Sequence, residues 1–263
     1  MTLPFIVGNW KMNTTLDEAL ALARQVATAA DEARGAVEVG VCPPYPWLVP
    51  IVGAIGDTTL RVGAQDCAAA AGGAYTGDVS AAMLASLCHF TLVGHSERRT
   101  IHHESDHVVR EKLDQALAHG LGVILCVGES LRERHAGQAE HVVARQLDSA
   151  LEDLSDAAAG RLTIAYEPVW AIGTGEAATE RDAAQMASFI RSDLDTRFGS
   201  RGAVVRILYG GSANDRNASD FLAAPDVDGL LVGSASLTEE TFAAMITAAA
   251  GASSAGSSRP AGD

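Results

Sequence analysis

Short runs of β-branched and aliphatic residues alternate along the chain with longer alanine- and leucine-rich stretches of helical character. The short runs lie near Phe5–Val7, Val37–Val41, Leu60–Gly63, Phe90–Val93, Val123–Val127, Leu162–Tyr166, Val204–Leu208 and Gly229–Val232. Strand-sized runs separated by helix-sized ones predict right-handed βαβ units and a parallel sheet. Eight such units suit a closed (β/α)8 barrel, where an open doubly wound sheet more often has five to seven strands. Helix starts are marked as well. Thr14 or Thr15 precedes Leu16-Asp17-Glu18, and Thr179-Glu180-Arg181-Asp182 has the form of a capping box. From Gly251 the composition turns to Ala, Ser, Gly and Pro, ending Ser258-Arg259-Pro260-Ala261-Gly262-Asp263. The division expected is a barrel over 1–250 and a disordered tail over 251–263.

Composition narrows the picture further. A chain of 263 residues without an internal Pro/Ser-rich linker fits one large α/β domain, and its 48% apolar content allows a substantial core. No uncharged apolar run reaches the roughly 18 residues needed to span a bilayer. The start, Met1-Thr2-Leu3-Pro4-Phe5, has no basic segment or apolar signal core, which sets the expectation of a cytoplasmic protein. Cys42, Cys67, Cys88 and Cys126 are widely spaced and form no CxxC pair, so buried thiols are expected rather than disulfides or a metal site. His102 and His103 beside Glu104 and Asp106 do not have zinc spacing, and neighbours on a helix point in different directions. The formal net charge of −14 argues against nucleic acid or an anionic membrane as partner. A small phosphate ester remains feasible if Lys11 and aligned backbone N–H groups make a local positive site.

The richest stretch for chemistry is Ala165-Tyr166-Glu167-Pro168-Val169-Trp170-Ala171-Ile172-Gly173-Thr174-Gly175. Glu167 ends an apolar strand, and the carboxyl ends of parallel strands are where such folds place their chemistry. Pro168 stiffens one side of the loop that follows while Gly173 and Gly175 free the other, the pattern of a base beneath a lid. Four other segments lie at strand ends: Gly8-Asn9-Trp10-Lys11-Met12-Asn13, Gly94-His95-Ser96-Glu97-Arg98-Arg99, and the late turns Tyr209-Gly210-Gly211-Ser212 and Val232-Gly233-Ser234. In order and spacing, from about Phe5 to Leu237, these motifs resemble the triosephosphate isomerase family.

That resemblance implies a cofactor-free and metal-free isomerase of glycolysis and gluconeogenesis that interconverts glyceraldehyde 3-phosphate and dihydroxyacetone phosphate through an enediolate. It assigns Glu167 as the base, in a largely dry pocket. His95 becomes a neutral electrophile at the carbonyl oxygen, with a helical turn begun by Ser96-Glu97-Arg98-Arg99 disfavouring the imidazolium. Lys11 becomes the fixed cation and Asn9 a hydrogen-bond donor, and Glu97 partners Lys11 with a role in proton transfer that competes with a purely structural ion pair. Phosphate falls to backbone amides at Gly173, Ser212, Gly233 and Ser234, and Tyr209 and Ser212 to latching the lid. The segment Gln65–Asp78 resembles a protruding dimer loop, with Thr76 expected to reach the partner's site near Lys11 and Asn13. Its tip, Ala68-Ala69-Ala70-Ala71-Gly72, offers little anchoring area.

Three departures stand against the family pattern. Ser234 occupies the place of a second glycine, Glu176 that of a frequent lysine, and Ile101-His102-His103 replaces an aromatic-Gly ending. Ser234 and Glu176 leave a four-carbon sugar phosphate open as the substrate. A Schiff-base aldolase is disfavoured because no late strand ends in lysine. A non-catalytic phosphate-binding barrel would have little need of Glu167, His95 and Lys11 together.

Overall fold

A computed structural model describes residues 2–172 and 178–256 of the chain. Eight parallel strands close into a barrel in chain order: β1 (Phe5–Asn9), β2 (Glu38–Cys42), β3 (Arg61–Ala64), β4 (Phe90–Val93), β5 (Gly122–Val127), β6 (Leu162–Tyr166), β7 (Arg206–Tyr209) and β8 (Gly229–Val232). Pairing of Phe5–Gly8 with Gly229–Val232 completes the ring. The (β/α)8 barrel is therefore the fold. Observed ends coincide with the expected ones for β4, β6 and β8 and differ by one or two residues for the other strands. The start of β7 moves by two, because Gly199–Val204 winds into a 3-10 helix and Val204 is its last residue rather than the first of a strand.

Helices cover the outside of the ring. α1 (Leu16–Glu32) buries Ala19, Leu22, Ala23, Val26, Ala27 and Ala30, a stripe at helical spacing. Thr15 is its cap: the Thr15 side chain accepts from the Glu18 N–H while the Thr15 N–H donates to the Glu18 carboxylate at 2.7 Å. Thr179 and Asp182 close the same reciprocal pair at the start of the long helix Glu180–Phe198. Between helices and barrel lies the larger apolar layer. A smaller cluster fills the barrel itself, built from Phe5, Val7, Phe90, Leu92, Ile124, Cys126, Ala165, Leu208 and Leu231 with Cys42.

Strand periodicity carries this inner set toward the mouth. Side chains alternate between barrel interior and helix layer, so two residues beyond an inward residue the chain faces inward again. Ala165 points in, and Glu167 follows it; Val7 points in, and Asn9 follows it. At the other end the floor is closed by Phe5 and Phe90, whose rings meet edge to face at 5.6 Å. Gly63 makes room for Phe90, since a Cβ at that position would overlap the ring.

Cys42, Cys67, Cys88 and Cys126 are all buried free thiols. Burial pushes the thiols of Cys67 and Cys88 up to about 12. The last helix, Glu239–Gly256, runs past the boundary expected at residue 250. Residues 251–256 continue that helix, since alanine, abundant from Ala243 to Ala255, has the highest helix propensity and carries the turns through Gly251. Residues 257–263 of the expected tail lie outside the described residues. Among the described residues no helix is long and apolar enough to cross a membrane.

Candidate active site

Asn9 is the last residue of β1 and is almost fully buried. Its Oδ1 accepts from the Lys11 N–H at 3.1 Å, so its NH2 group is the end available to a ligand. Lys11 itself has φ +52, a left-handed conformation that few non-glycine residues adopt and that tends to occur where function over-determines the backbone. Gln65 holds this turn by donating to the carbonyl oxygens of Lys11 at 2.8 Å and Cys42 at 2.9 Å. The Lys11 ammonium extends to Glu97 Oε1 at 2.7 Å.

His95 follows β4 as the cap of the short helix Ser96–Ile101. Its Nδ1 accepts the Glu97 N–H at 3.2 Å, and this places the proton of a neutral ring on Nε2. Nε2 faces Glu167 Oε1 at 3.0 Å, and the other oxygen of Glu167 accepts the Ser96 N–H at 2.8 Å. Glu167 is only 2% exposed, so the carboxylate is shielded from bulk water and held by two donors. For Glu97, burial acts to raise the carboxyl, but the Lys11 hydrogen bond, the electrostatic pull of His95 and the Lys11 charge together outweigh it and hold the group below the usual glutamate range. A depressed folded value means the Lys11 pair persists at neutral pH and is lost as pH falls through that value. NMR titration of Glu97 is expected to give an acid midpoint below that of a free glutamate, and Lys11→Met to move it upward.

The backbone under Glu167 is equally constrained. Its N–H donates to the Val127 carbonyl at 2.7 Å, and its own carbonyl packs so closely on Gly128 that a Cβ there would overlap it. Gly128→Ala is therefore expected to displace Glu167, lowering kcat by about a hundredfold or more as catalytic groups lose alignment. It should also destabilise the fold by about 1–3 kcal/mol through overpacking. Steady-state kinetics with urea unfolding would check both, and wild-type values in the two would refute the account.

Beyond Glu167 the chain passes Pro168 into a single 3-10 turn, Val169–Ala171. Here fully buried Glu129 gathers three donors on Oε1: Trp170 Nε1 at 2.8 Å, the Tyr166 hydroxyl at 3.1 Å and Arg134 Nη1 at 3.2 Å. Arg134 also lies over the Trp170 ring, 4.5 Å from its centroid. The near end of the loop is thereby pinned to the loop after β5. Gly173, expected to bind phosphate, and Glu176 lie outside the described residues.

Asn9, Lys11, His95, Glu167 and Gly233 line one cavity at the barrel mouth, together with Ile172, Leu231 and the Gly210-Gly211 turn. Glu97 reaches this cavity through Lys11. Ser212 and Ser234 do not line it directly, but each is the neighbour of a glycine that does. The N–H groups of Gly233 and Ser234 find no acceptor among the described residues, and the Ser212 hydroxyl is buried next to the Tyr209 hydroxyl. Ser234 takes no left-handed backbone angle; it begins a 3-10 turn, Ser234–Ser236, so its Cβ meets no conformational strain. His103, in place of glycine, does adopt φ +55. Thr76 is exposed on the Gln65–Asp78 segment, apart from the cavity. No three metal-ligating side chains gather among the described residues.

Sequence reading missed Gln65, Ser96, Gly128 and Glu129. Ser96 acts through its backbone and Gly128 through an absent Cβ, neither of which a residue type announces. Gln65 and Glu129 act across long sequence separations.

A closed barrel whose carboxyl end converges a buried carboxyl group, an imidazole and an ammonium on one small cavity defines the class: a (β/α)8 enzyme built for proton transfer beside an oxyanion. A family model described as Triosephosphate isomerase matches residues 4–249. The chain belongs to the triosephosphate isomerase family. It is 46% identical over 253 residues to a protein named triosephosphate isomerase from Nocardia farcinica, covering 94% of this chain and 97% of that one. A protein of the same name from Hahella chejuensis is 44% identical over 250 residues, covering 95% and 99% of the two chains. The crystal structure of triosephosphate isomerase from Bartonella henselae superposes with a TM-score of 0.86 at 39% identity, covering 94% of this chain and 99% of that one.

Proposed function

We propose that this chain interconverts D-glyceraldehyde 3-phosphate and dihydroxyacetone phosphate by proton transfer through an enediolate, without cofactor or metal. What carries the reading is the meeting of Glu167, His95 and Lys11 at one cavity. Glu167 removes a proton from the carbon beside the substrate carbonyl and returns it to the neighbouring carbon. To do so, the carboxylate exchanges its hydrogen bonds to His95 and Ser96 for the substrate. His95 Nε2–H is thereby freed to donate to the carbonyl oxygen, and it moves protons between the two enediolate oxygens. Lys11 and the Asn9 amide stabilise the developing negative charge, in a site where few water molecules compete. Glu97 holds the Lys11 ammonium in place.

The free N–H groups of Gly233 and Ser234 support a phosphate position beside Lys11, completed by Ser212 and by Gly173 of the lid. Gripping the phosphate couples binding energy remote from the reacting carbons to closure over the intermediate. A coupled isomerase assay on the purified protein tests the proposal, with the four-carbon ketose phosphate as comparator. A specificity constant for the three-carbon substrate no higher than for the four-carbon one would overturn it.

The chain acts as a homodimer in the cytoplasm, serving glycolysis and gluconeogenesis. Support for the dimer comes from apolar side chains left in water beside the site and on the protruding segment: Met12 is 97% exposed and Tyr75 55% exposed. Thr76 then enters the partner's site. Sedimentation velocity at micromolar concentration is expected to give a dimer, and a monomer alone would refute this assembly.

A further inference from the structure

At the opposite end of the barrel from Glu167, the amino-terminal ends of the strands frame a second cavity of about 200 Å³, sharing no residue with the mouth. Its walls include Arg61, Arg161, Arg206 and His89, set around the rings of Phe5 and Phe90. Arg61 and Arg206 approach the same ring, 5.9 Å and 4.7 Å from the Phe5 centroid. They also share one carboxylate, since Glu38 pairs with Arg61 through one oxygen and with Arg206 through the other.

Arg161 donates to the Leu117 carbonyl at 2.9 Å and has no carboxylate partner among the described residues. Asp228, whose charge also acts on Arg206, is engaged by Arg191 at 2.8 Å and by the Ile207 N–H at 2.9 Å. Three guanidinium groups therefore line this floor, Arg61 and Arg206 sharing Glu38 while Asp228 divides its charge between Arg191 and Arg206, and the exposed Arg161 has no acid of its own among the described residues. Burial pushes both Arg61 and Arg206 below the usual guanidinium range; for Arg61 the charge of Arg206 adds to it, and for Arg206 the charge of Asp228 partly opposes it. Desolvated like charges of this kind are unfavourable unless anions join them, and the Glu38 carboxylate divided between Arg61 and Arg206 leaves donors of all three guanidiniums for a further anion.

The rest of the chain does not explain the cluster. A net charge of −14 would balance exposed arginines anywhere on the surface, yet here they gather in a concave, aromatic-walled space. Guanidinium forks match tetrahedral oxyanions by paired N–H donors. Ionic screening over about 8 Å at physiological salt leaves the local excess, not the distant acids, to set the field inside the cavity. We propose that this floor cavity is a second binding site, for a phosphate dianion presented either as inorganic phosphate or as the end of a small phosphate monoester.

The test counts sites and needs no catalytic assay, so it stands or falls separately from the isomerase reading. Equilibrium dialysis is run with inorganic phosphate and, in a second arm, with glycerol 3-phosphate. The wild-type protein is expected to bind two anions per chain at saturation and Arg161→Gln only one, and the anion bound more tightly at the floor identifies its source. Lys11→Met, which weakens the mouth, is expected to keep the floor site, and adding Arg61→Gln to it to weaken that site about tenfold or more, as charge-assisted hydrogen bonds are lost. Should Arg61→Gln not fold, Arg161→Gln decides, because its guanidinium holds no ion pair of the fold. One anion per chain in the wild type, or a count unaltered by the arginine substitutions, would overturn the proposal.

Discussion

Glu167→Asp is expected to lower kcat by at least about a hundredfold with the fold intact, because it withdraws the carboxylate by one C–C bond, about 1.5 Å. The main chain cannot advance to compensate. The Glu167 N–H is tied to Val127 and its carbonyl rests on Gly128, while across the cavity a Cβ at Gly210 would already lie 3.0 Å from Glu167 Cγ. KM should move little, since the groups proposed to hold phosphate are untouched. Circular dichroism and urea unfolding should match the wild type. Turnover within about threefold of wild type would remove Glu167 from the role of base, since one misplaced ångström commonly has a far larger effect.

Lys11→Met is expected to reduce kcat/KM by about a thousandfold, roughly 4 kcal/mol of transition-state stabilisation, because it keeps the aliphatic stem but deletes the cation. Both constants should suffer: kcat through the oxyanion, and KM through the phosphate near Gly233, whose Cβ position lies 3.7 Å from Lys11 Cε. Gln65 still clamps the turn, and half-buried Glu97 can turn to solvent, so the fold should persist. Retention of kcat/KM within a factor of three would exclude the ammonium from the chemistry.

Much of this arrangement was legible in the residues, and the reasons are physical. The eight strands announce themselves because buried parallel strands are short apolar runs, and period-two alternation then carries Glu167 and Asn9 to the barrel axis once Ala165 and Val7 are known to face inward. The capping pairs at Thr15 and Thr179 are local, three residues apart, and so visible in the chain. Less local features were hidden. The Ser96 N–H that holds Glu167 lies 71 residues from it, and Glu129 gathers Trp170 from 41 residues away. The 3-10 turn that takes Val204 out of β7 and the helix through Gly251 to Gly256 reflect a contest between local propensities that composition alone left open. His102 and His103 gather no metal-ligating group among the described residues, and His103 instead occupies a left-handed angle.

The left-handed backbone of Lys11 sets stability against activity at one residue. Glycine would relax φ +52 at once, since the strain comes from a Cβ crowding its own carbonyl. A library randomised at position 11 and screened only for heat resistance should therefore enrich glycine or asparagine, and the hardiest survivors should be inert.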